Sequence, residues 1–450
     1  MRCESVILAA GLGTRMRSSV PKLLLPIAGR PMVRWSVGAC REATGTEPYL
    51  IVPPDGAAIG GAAGGSLKLV EQADPLGTGH ALLQAAEALD GKSDLILVVN
   101  ADMPLLRAGT LRSLVEAQSK NAGVVTLLTT NSEQSRGFGR VVRDKAGGVV
   151  AIVEEDQASP DELQLTELNV GAYCFDSQWL WNALANLSKS PKGEYYLTDI
   201  VGLAAERGDG IGANRVSDAD ETIGVNTMEH LAQAEAAARR RINSKWMRAG
   251  VRMIDPDTTY IDAEVSVGPG TVLLPNTHLG GQTVVGGNCK IGPSSILRDA
   301  QVGDGCAIEA SVVDQAVLEA GVDVGPFARL RPGTKLGPGV HVGNFGEIKD
   351  STLGAGVKVG HFSYIGDATI GENVNIGAGT ITCNYDGKHK SATIIGKGAF
   401  IGSDTMLVAP VTIGVGARTG AGAVVTKDVP DRTLAAGVPA RVIRKLDPDD

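Results

Sequence analysis

Aromatic side chains are scarce, 4% of 450 residues, too few for a core of stacked rings. Narrow interior layers of small and β-branched residues fit this composition better. Cysteine is scarce too: Cys3, Cys40, Cys174, Cys289, Cys306 and Cys383 are scattered, with no CxxC and no paired spacing. That pattern excludes a disulfide framework and reads as reduced thiols. No stretch reaches the roughly 18 apolar residues of a membrane span. The apolar stretch from Val6 to Ala10 is too short for a signal peptide and runs straight into glycines and Arg15. The chain is therefore expected to be soluble and cytoplasmic. Its net charge of −8 argues against nucleic acid as the main partner but leaves room for local phosphate-binding cations. At 450 residues it exceeds what one core usually organises, so two or more domains are expected.

Glycine, by contrast, is abundant, at 59 residues, and much of it sits in a repeat. From residue 261 an aliphatic residue returns every sixth position: Ile261, Val267, Leu273, Leu279, Val285, Ile291, Leu297. After a slip come Leu318, Val324, Leu330, Leu336, Val342 and Ile348, then Leu353, Val359 and Ile365. A further slip gives Ile370 and Ile376, and after a break Ile395, Ile401, Leu407 and Ile413. Six is not the 3.6 period of a helix. It is the hexapeptide repeat of a parallel β-helix, taken as left-handed, in which three short strands make a coil of about 18 residues. Small residues beside the inward aliphatics permit the corners. The largest interruption, Thr382 to Thr393, contains Asn384-Tyr-Asp-Gly-Lys-His389 and reads as a loop thrown out from one corner, where binding groups concentrate.

Residues 1–227 are organised differently. Ser5 to Ala9, Pro48 to Val52 and Leu95 to Val99 look like buried strands, and Met32 to Arg41 and Gly79 to Leu89 look helical. This alternation predicts an α/β domain with a mostly parallel, Rossmann-like sheet. The Gly/Ala-rich segment Asp55 to Ser66 is expected to be a loop. Residues 228–249, rich in Ala, Glu and Arg, predict a linker helix before a β-helix domain over 250–450.

The chemistry begins after the first predicted strand, in Leu8-Ala-Ala-Gly-Leu-Gly-Thr-Arg-Met16 and Pro21-Lys22. Gly11 and Gly13 let backbone N–H groups approach a phosphate, a following helix N-terminus favours its charge, and Arg15 and Lys22 add cations. This motif resembles the sugar-1-phosphate nucleotidylyltransferases. Asn100-Ala-Asp-Met-Pro104 matches their metal-binding turn, and Asn226 in Gly224-Val-Asn226 looks like the second ligand. The resemblance thus implies Mg²⁺ on Asp102 and Asn226.

Over nearly the whole chain, the sequence is similar to the bifunctional UDP-N-acetylglucosamine pyrophosphorylase and glucosamine-1-phosphate N-acetyltransferase family. That resemblance implies a phosphate-cradling turn at Leu8, Ala9, Ala10 and Gly11. It implies uracil reading by Gln72, Gly77 and Thr78, and contacts from Asn100, Gly139, Glu154 and Asn169 around the sugar and ribose. Gly193-Glu-Tyr-Tyr-Leu-Thr-Asp199 is another shared motif. Asn100-Ala101, Leu12 and Val170 stand where the family usually has Tyr-Gly, Lys and Thr. The implied reaction is attack of a sugar-1-phosphate oxygen on the α-phosphorus of UTP with loss of pyrophosphate, with Arg15 and Lys22 neutralising the triphosphate.

In the repeats, Arg331, Lys349 and His361 fall 18 and then 12 residues apart. An 18-residue step returns to the same side one coil on, so Arg331 and Lys349 should be stacked neighbours, and two cations make a phosphate site. The same family resemblance implies that glucosamine-1-phosphate attacks acetyl-CoA here. His361 is then the general base, suited to work near neutral pH, with Glu347 orienting it. Arg331, Lys349 and Lys390 hold the sugar phosphate. Tyr364, Asn375 and Asn384 position the sugar, and Ala378, Asn384, Tyr385, Ser403 and Ala421 face acetyl-CoA. Family members often carry a C-terminal Arg for coenzyme A. Gly437 stands at that position, leaving Arg441 or Arg444 as alternatives.

The resemblance further implies a homotrimer making UDP-N-acetylglucosamine, a peptidoglycan and lipopolysaccharide precursor, from small-molecule substrates including N-acetylglucosamine-1-phosphate. Three other readings stay open at this point. One is a monofunctional nucleotidylyltransferase whose rod only assembles or regulates it, the second a non-catalytic scaffold, and the third a related bifunctional enzyme for another sugar or nucleotide.

Overall fold

The computed structural model describes residues 1–446 apart from 12, 135 and 136, so Leu12 and the last four residues of the charged tail lie outside the described residues. It falls into two compact units, Met1–Ala238 and Arg239–Asp450.

The first unit is built on a nine-stranded sheet. Seven strands follow the order Ile211–Arg215, Val125–Asn131, Glu167–Asp176, Leu95–Asn100, Cys3–Leu8, Tyr49–Val52 and Lys68–Glu71. Neighbours are parallel except at Glu167–Asp176, which runs antiparallel to both strands beside it. The hairpin Arg140–Arg143 and Val149–Val153 branches off that antiparallel strand. Continuous apolar runs such as Leu95–Val99 are buried along their length, as strands covered on both faces require. Cys3–Leu8 and Leu95–Asn100 end together, with Leu8 opposite Asn100. The turns that follow them therefore open at one edge of the sheet, the usual place for a ligand in a parallel sheet.

Two local expectations are corrected. The segment expected as a loop carries the helix Ala57–Ala63; buried Ile59 and Ala63 anchor it, and Gly60 lies against Leu69. The single helix expected over Gly79 to Leu89 is two short ones, Thr78–Leu83 and Ala86–Leu89.

The second unit is a left-handed β-helix of three sheets with 12, 10 and 9 strands, parallel throughout except for the terminal antiparallel pair Thr433–Gly437 and Ala440–Lys445. Successive coils pair in register, for example Val267 with Val285, Leu273 with Ile291, and Leu279 with Leu297. Across the slip between Leu297 and Leu318 the inward positions are filled by Val302, Ile308 and Val313, in coils shortened by a residue or two. Close stacking forbids a side chain at some positions: a Cβ on Gly343 would overlap the Gly360 carbonyl. The helix Met228–Arg248 crosses the division between the units. Within the second unit Asn243 donates to the carbonyls of Pro256 (2.9 Å) and Thr259 (3.0 Å), and Arg239 lies 4.5 Å over the Tyr260 ring. The column of inward aliphatics is the core of the rod. Ile348 is fully buried between Leu330 and Ile365, so Ile348→Ala is expected to cost about 2–5 kcal/mol. Denaturant unfolding of the variant measures this, and a loss below about 1 kcal/mol would contradict the packing.

Candidate functional site

Two cavities, of about 590 and 620 Å³, open where Cys3–Leu8 and Leu95–Asn100 end, and share Arg15, Thr78, Asn100, Asp102, Tyr196 and Asn226. The smaller is walled by the turn Leu8, Ala9, Ala10 and Gly11, with Lys22, Gln72 and Gly77. Gly13, at φ 61°, also has no room for a Cβ, which would stand 2.8 Å from that of Lys22. The helix expected after this turn is replaced by a single 3₁₀ turn, Thr14–Met16, held between Gly13 and Arg17, both left-handed. The cavity wall after this turn therefore presents a loop with Lys22 and Arg15 beside it, without a helix N-terminus.

Lys22 Nζ donates to Asp102 Oδ2 at 2.8 Å and to Asn226 Oδ1 at 3.2 Å. Asp102 is tied to the Asn226 segment, its carbonyl accepting from Val225 N at 2.9 Å. An ammonium bridging one carboxylate and one amide oxygen stands in for a cation, and these hard donors suit Mg²⁺. Among the described residues no cluster of three or more His, Cys, Asp or Glu could hold a metal; a cation held by two protein oxygens alone would need its remaining ligands from phosphates and water. Arg15 is exposed at the cavity edge and has no hydrogen-bond partner among the described residues.

The shared motif Gly193–Asp199 braces the turn at Leu76–Gly79. Tyr195 donates its N–H to Leu76 O (2.8 Å) and accepts from Gly79 N (2.8 Å). Gly77, at φ 102°, has no room for a Cβ against the Tyr195 carbonyl, 2.6 Å away. Thr78 Oγ1 accepts from Leu197 N at 3.0 Å. In the larger cavity Asn169 donates to the Tyr173 hydroxyl (2.7 Å) and accepts from Gly171 N (3.2 Å), while its own N–H bonds Gly139 O at 2.9 Å. Asn100 packs its amide against Gly171. Asn100 and Val170 line this cavity, whereas Ala101 is buried beside it. Tyr196 and Thr198, from the shared motif Gly193–Asp199, also line it, as does Phe138 beside Gly139; none of the three was assigned a role from the sequence.

Glu154 Oε1 accepts from the Thr198 hydroxyl at 2.9 Å. Burial pushes its carboxyl above the ordinary carboxylate range, against the opposing pull of that bond. A raised folded-state value means the ionised carboxylate is penalised by folding, so this part of stability falls as pH rises from the unfolded value through the folded one. Glu154→Gln is therefore expected to raise the melting temperature at neutral pH. The gain should shrink on acidification and vanish below the ordinary carboxylate range; a gain that grows on acidification would contradict the assignment.

In the rod, Arg331 Nη1 donates to Glu347 Oε1 at 2.9 Å, and Glu347 lies opposite Tyr364. Lys349 Nζ is 3.8 Å from Asp367 Oδ1, and Asp367 also accepts from the Asn384 amide. The Lys349 ammonium beside Lys390 holds the Lys390 ammonium below the ordinary lysine range. Arg331, Lys349, Lys390 and Tyr364 thus gather on one face and its edge. Asn375 is on the next face, opposite Lys358. Tyr385 lies in the loop, bridged to Lys390.

His361 ends the strand Lys358–His361 on that next face, three residues before Tyr364 around the corner. The expected Glu347 partner is corrected: within the protomer Glu347 bonds Arg331, and His361 Nδ1 lies 2.9 Å from Asn344 Oδ1. The reason is register, because Asn344 is directly opposite His361 one coil back, while Glu347 is on another sheet. Inward Val359, Ile376 and Ile401 are in register, and each is followed two positions later by His361, Ala378 and Ser403. Ala421 stands likewise after Thr419, on the next strand of the sheet. The imidazole thus heads a column of small side chains. Gly437, at φ 100°, turns the chain into Ala440–Lys445, which carries Arg441 and Arg444.

Residues 5–197 match the MobA-like NTP transferase domain. Residues 350–383 match the bacterial transferase hexapeptide (six repeats), and 392–427 the hexapeptide repeat of succinyl-transferase. The class is thereby defined: a nucleotidyltransferase-type unit followed by a hexapeptide transferase unit. Among curated relatives, the chain is 44% identical to Bifunctional protein GlmU of Pelobacter propionicus, over 98% of this chain and 97% of that one. It is 43% identical to that of Shouchella clausii (96% and 95%) and 45% identical to that of Enterococcus faecalis (96% and 94%). The chain belongs to the bifunctional GlmU family. No described helix is long and apolar enough to cross a membrane.

Proposed function

We propose that the chain acetylates glucosamine-1-phosphate with acetyl-CoA on its rod and then transfers UMP from UTP to N-acetylglucosamine-1-phosphate in its first unit, releasing pyrophosphate. The observation that carries this reading is the placement of two unlike sets of reactive groups: Lys22, Asp102 and Asn226 in one unit, His361 and the Lys349–Lys390 cations in the other. A rod used only for assembly has no need of the second set.

In the uridylyl site, Asp102 and Asn226 would hold Mg²⁺, which when bound neutralises charge on the phosphates. Lys22 exchanges its bonds to those two oxygens for the triphosphate as nucleotide enters, and Arg15 approaches it from the cavity edge. The turn Leu8–Gly11 supplies N–H groups. Glu154, Asn169 and Gly139 fix the sugar so that its phosphate oxygen lies in line with the α-phosphorus.

In the acetyl site, Arg331, Lys349 and Lys390 bind the sugar phosphate, and Tyr364 and Asn375 orient the sugar. Nδ1 of His361 donates its proton to Asn344 Oδ1, which leaves the Nε2 lone pair as the base. The amine nitrogen bonds to the thioester carbonyl carbon as Nε2 takes its proton; the C–S bond then breaks and the thiolate leaves, protonated, as free coenzyme A. The column Ala378, Ser403 and Ala421 admits the thioester arm, with Asn384 and Tyr385 beside it. The reading includes a cytoplasmic homotrimer with acetyl sites completed between rods.

The test is an omission series with glucosamine-1-phosphate, acetyl-CoA, UTP and Mg²⁺. The complete mixture yields UDP-N-acetylglucosamine and free thiol together. Without UTP, thiol release continues and nucleotide-sugar is lost; without acetyl-CoA both stop, and added N-acetylglucosamine-1-phosphate restores only the nucleotide-sugar. UDP-sugar formation with no thiol release under any condition would overturn the acetyl half.

A further inference from the structure

Gln72 is buried, 5% exposed, in the wall of the 590 Å³ cavity. Its amide nitrogen is engaged twice: Nε2 donates to the Gly77 carbonyl at 3.1 Å and lies 3.0 Å from Nδ1 of His80. Its oxygen has no partner among the described residues and is not occluded. A neutral imidazole accepts at one nitrogen only. The Gly77 carbonyl can face only the nitrogen end of the amide, so Nδ1 of His80 is the accepting atom and Nε2 carries the ring proton. Gln84 Nε2 donates to the His80 carbonyl at 3.1 Å; it also lies 3.2 Å from the ring Nε2, where donor meets donor and no bond forms, so the ring's single acceptor serves Gln72 at the shorter 3.0 Å contact. Tyr195, whose backbone braces this same turn, stacks on the imidazole at 6.4 Å between centroids.

We propose that His80 is a positioning residue that sets nucleobase specificity by fixing which end of the Gln72 amide faces the base; this rests on the reading of the cavity as the nucleotide pocket. Reversing the amide would lose both bonds and set Oε1 against the Gly77 carbonyl oxygen. Held as it is, Gln72 offers an acceptor. A uracil-type base presents a ring N–H to it and pairs. A cytosine-type base presents a lone pair at the same ring atom and meets another lone pair. An unpaired buried polar edge is what makes such discrimination large.

The experiment compares kcat/KM for UTP and CTP in the wild-type chain, His80→Leu and His80→Asn. Asn carries Oδ1 as many bonds from the backbone as Nδ1 of His, so it keeps an acceptor for Gln72. His80→Leu is expected to lower the UTP/CTP preference about 10-fold, the scale of one buried hydrogen bond, through a higher KM for UTP with kcat nearly unchanged. His80→Asn should stay within about threefold of wild type, and melting curves like that of the wild type report that the variants are folded. UTP and CTP rates falling in parallel, or a preference unchanged in His80→Leu, would overturn the role of His80 alone. A wild-type chain that does not consume UTP would overturn the pocket reading and this inference with it.

Discussion

Asp102→Ala is expected to lower uridylyl transfer by about 100- to 1,000-fold, the usual loss when one preorganised electrostatic group is removed from a charged transition state, while acetyl transfer is unchanged. Asp102 does two things at once: it bonds Lys22 at 2.8 Å and anchors the Val225 N–H through its own carbonyl. The substitution removes only the first, because the backbone bond survives. Fold loss therefore does not explain a rate loss, and a melting curve close to wild type accompanies it. Measuring pyrophosphate release against Mg²⁺ concentration separates the causes. A lost metal donor raises the Mg²⁺ needed for half-maximal rate, whereas a merely misplaced Lys22 leaves it where it was. Normal uridylyl transfer in Asp102→Ala would remove the residue from the site.

His361→Ala is the second large effect, about 100- to 10,000-fold in kcat for acetyl transfer, with uridylyl transfer intact. The imidazole is exposed, and its one bond among the described residues is to Asn344, so its removal costs the rod little. Asn344→Ala should cost less than removal of the base itself, since it frees the ring to turn without taking it away. Free-thiol release assayed from pH 6 to 9 is the readout. Undiminished turnover in His361→Ala would exclude it as the base, and equal losses in the two variants would point to a structural role.

Much of this architecture was legible beforehand, because period six has one structural meaning and continuous apolar runs alternating with helical patterns have few. The register of the coils was less so. Val302, Ile308 and Val313 carry the core across a stretch where coils shorten, and a reader keeping strict count loses them. The helix at Ala57–Ala63 was hidden by glycines that look like loop residues; what stabilises it is the tertiary contact of Ile59 and Ala63, which outweighs propensity. The turn after Gly13 failed to become a helix because left-handed Arg17 and then Pro21 end it.

The sites divide along the same line. That Gly11, Lys22 and Asp102 would meet around one cavity was legible because each stands in a short segment whose chemistry and spacing are local. Asn344 was not, because it is seventeen residues from His361 and becomes its partner only when the coils stack. Glu347, at a comparable separation from His361, stacks on a different sheet and bonds Arg331 instead. His80 carries no motif of its own, and its company, Gln72 and Gln84, is supplied by the fold of the turn.

Mixing the two disabled chains tests most directly whether one polypeptide holds two independent reaction centres. Asp102→Ala and His361→Ala, each alone, should convert glucosamine-1-phosphate, acetyl-CoA and UTP to UDP-N-acetylglucosamine at a small fraction of the wild-type rate. Combined in one tube they should restore synthesis, with N-acetylglucosamine-1-phosphate passing between them through solution. A mixture as silent as either chain by itself would contradict the account.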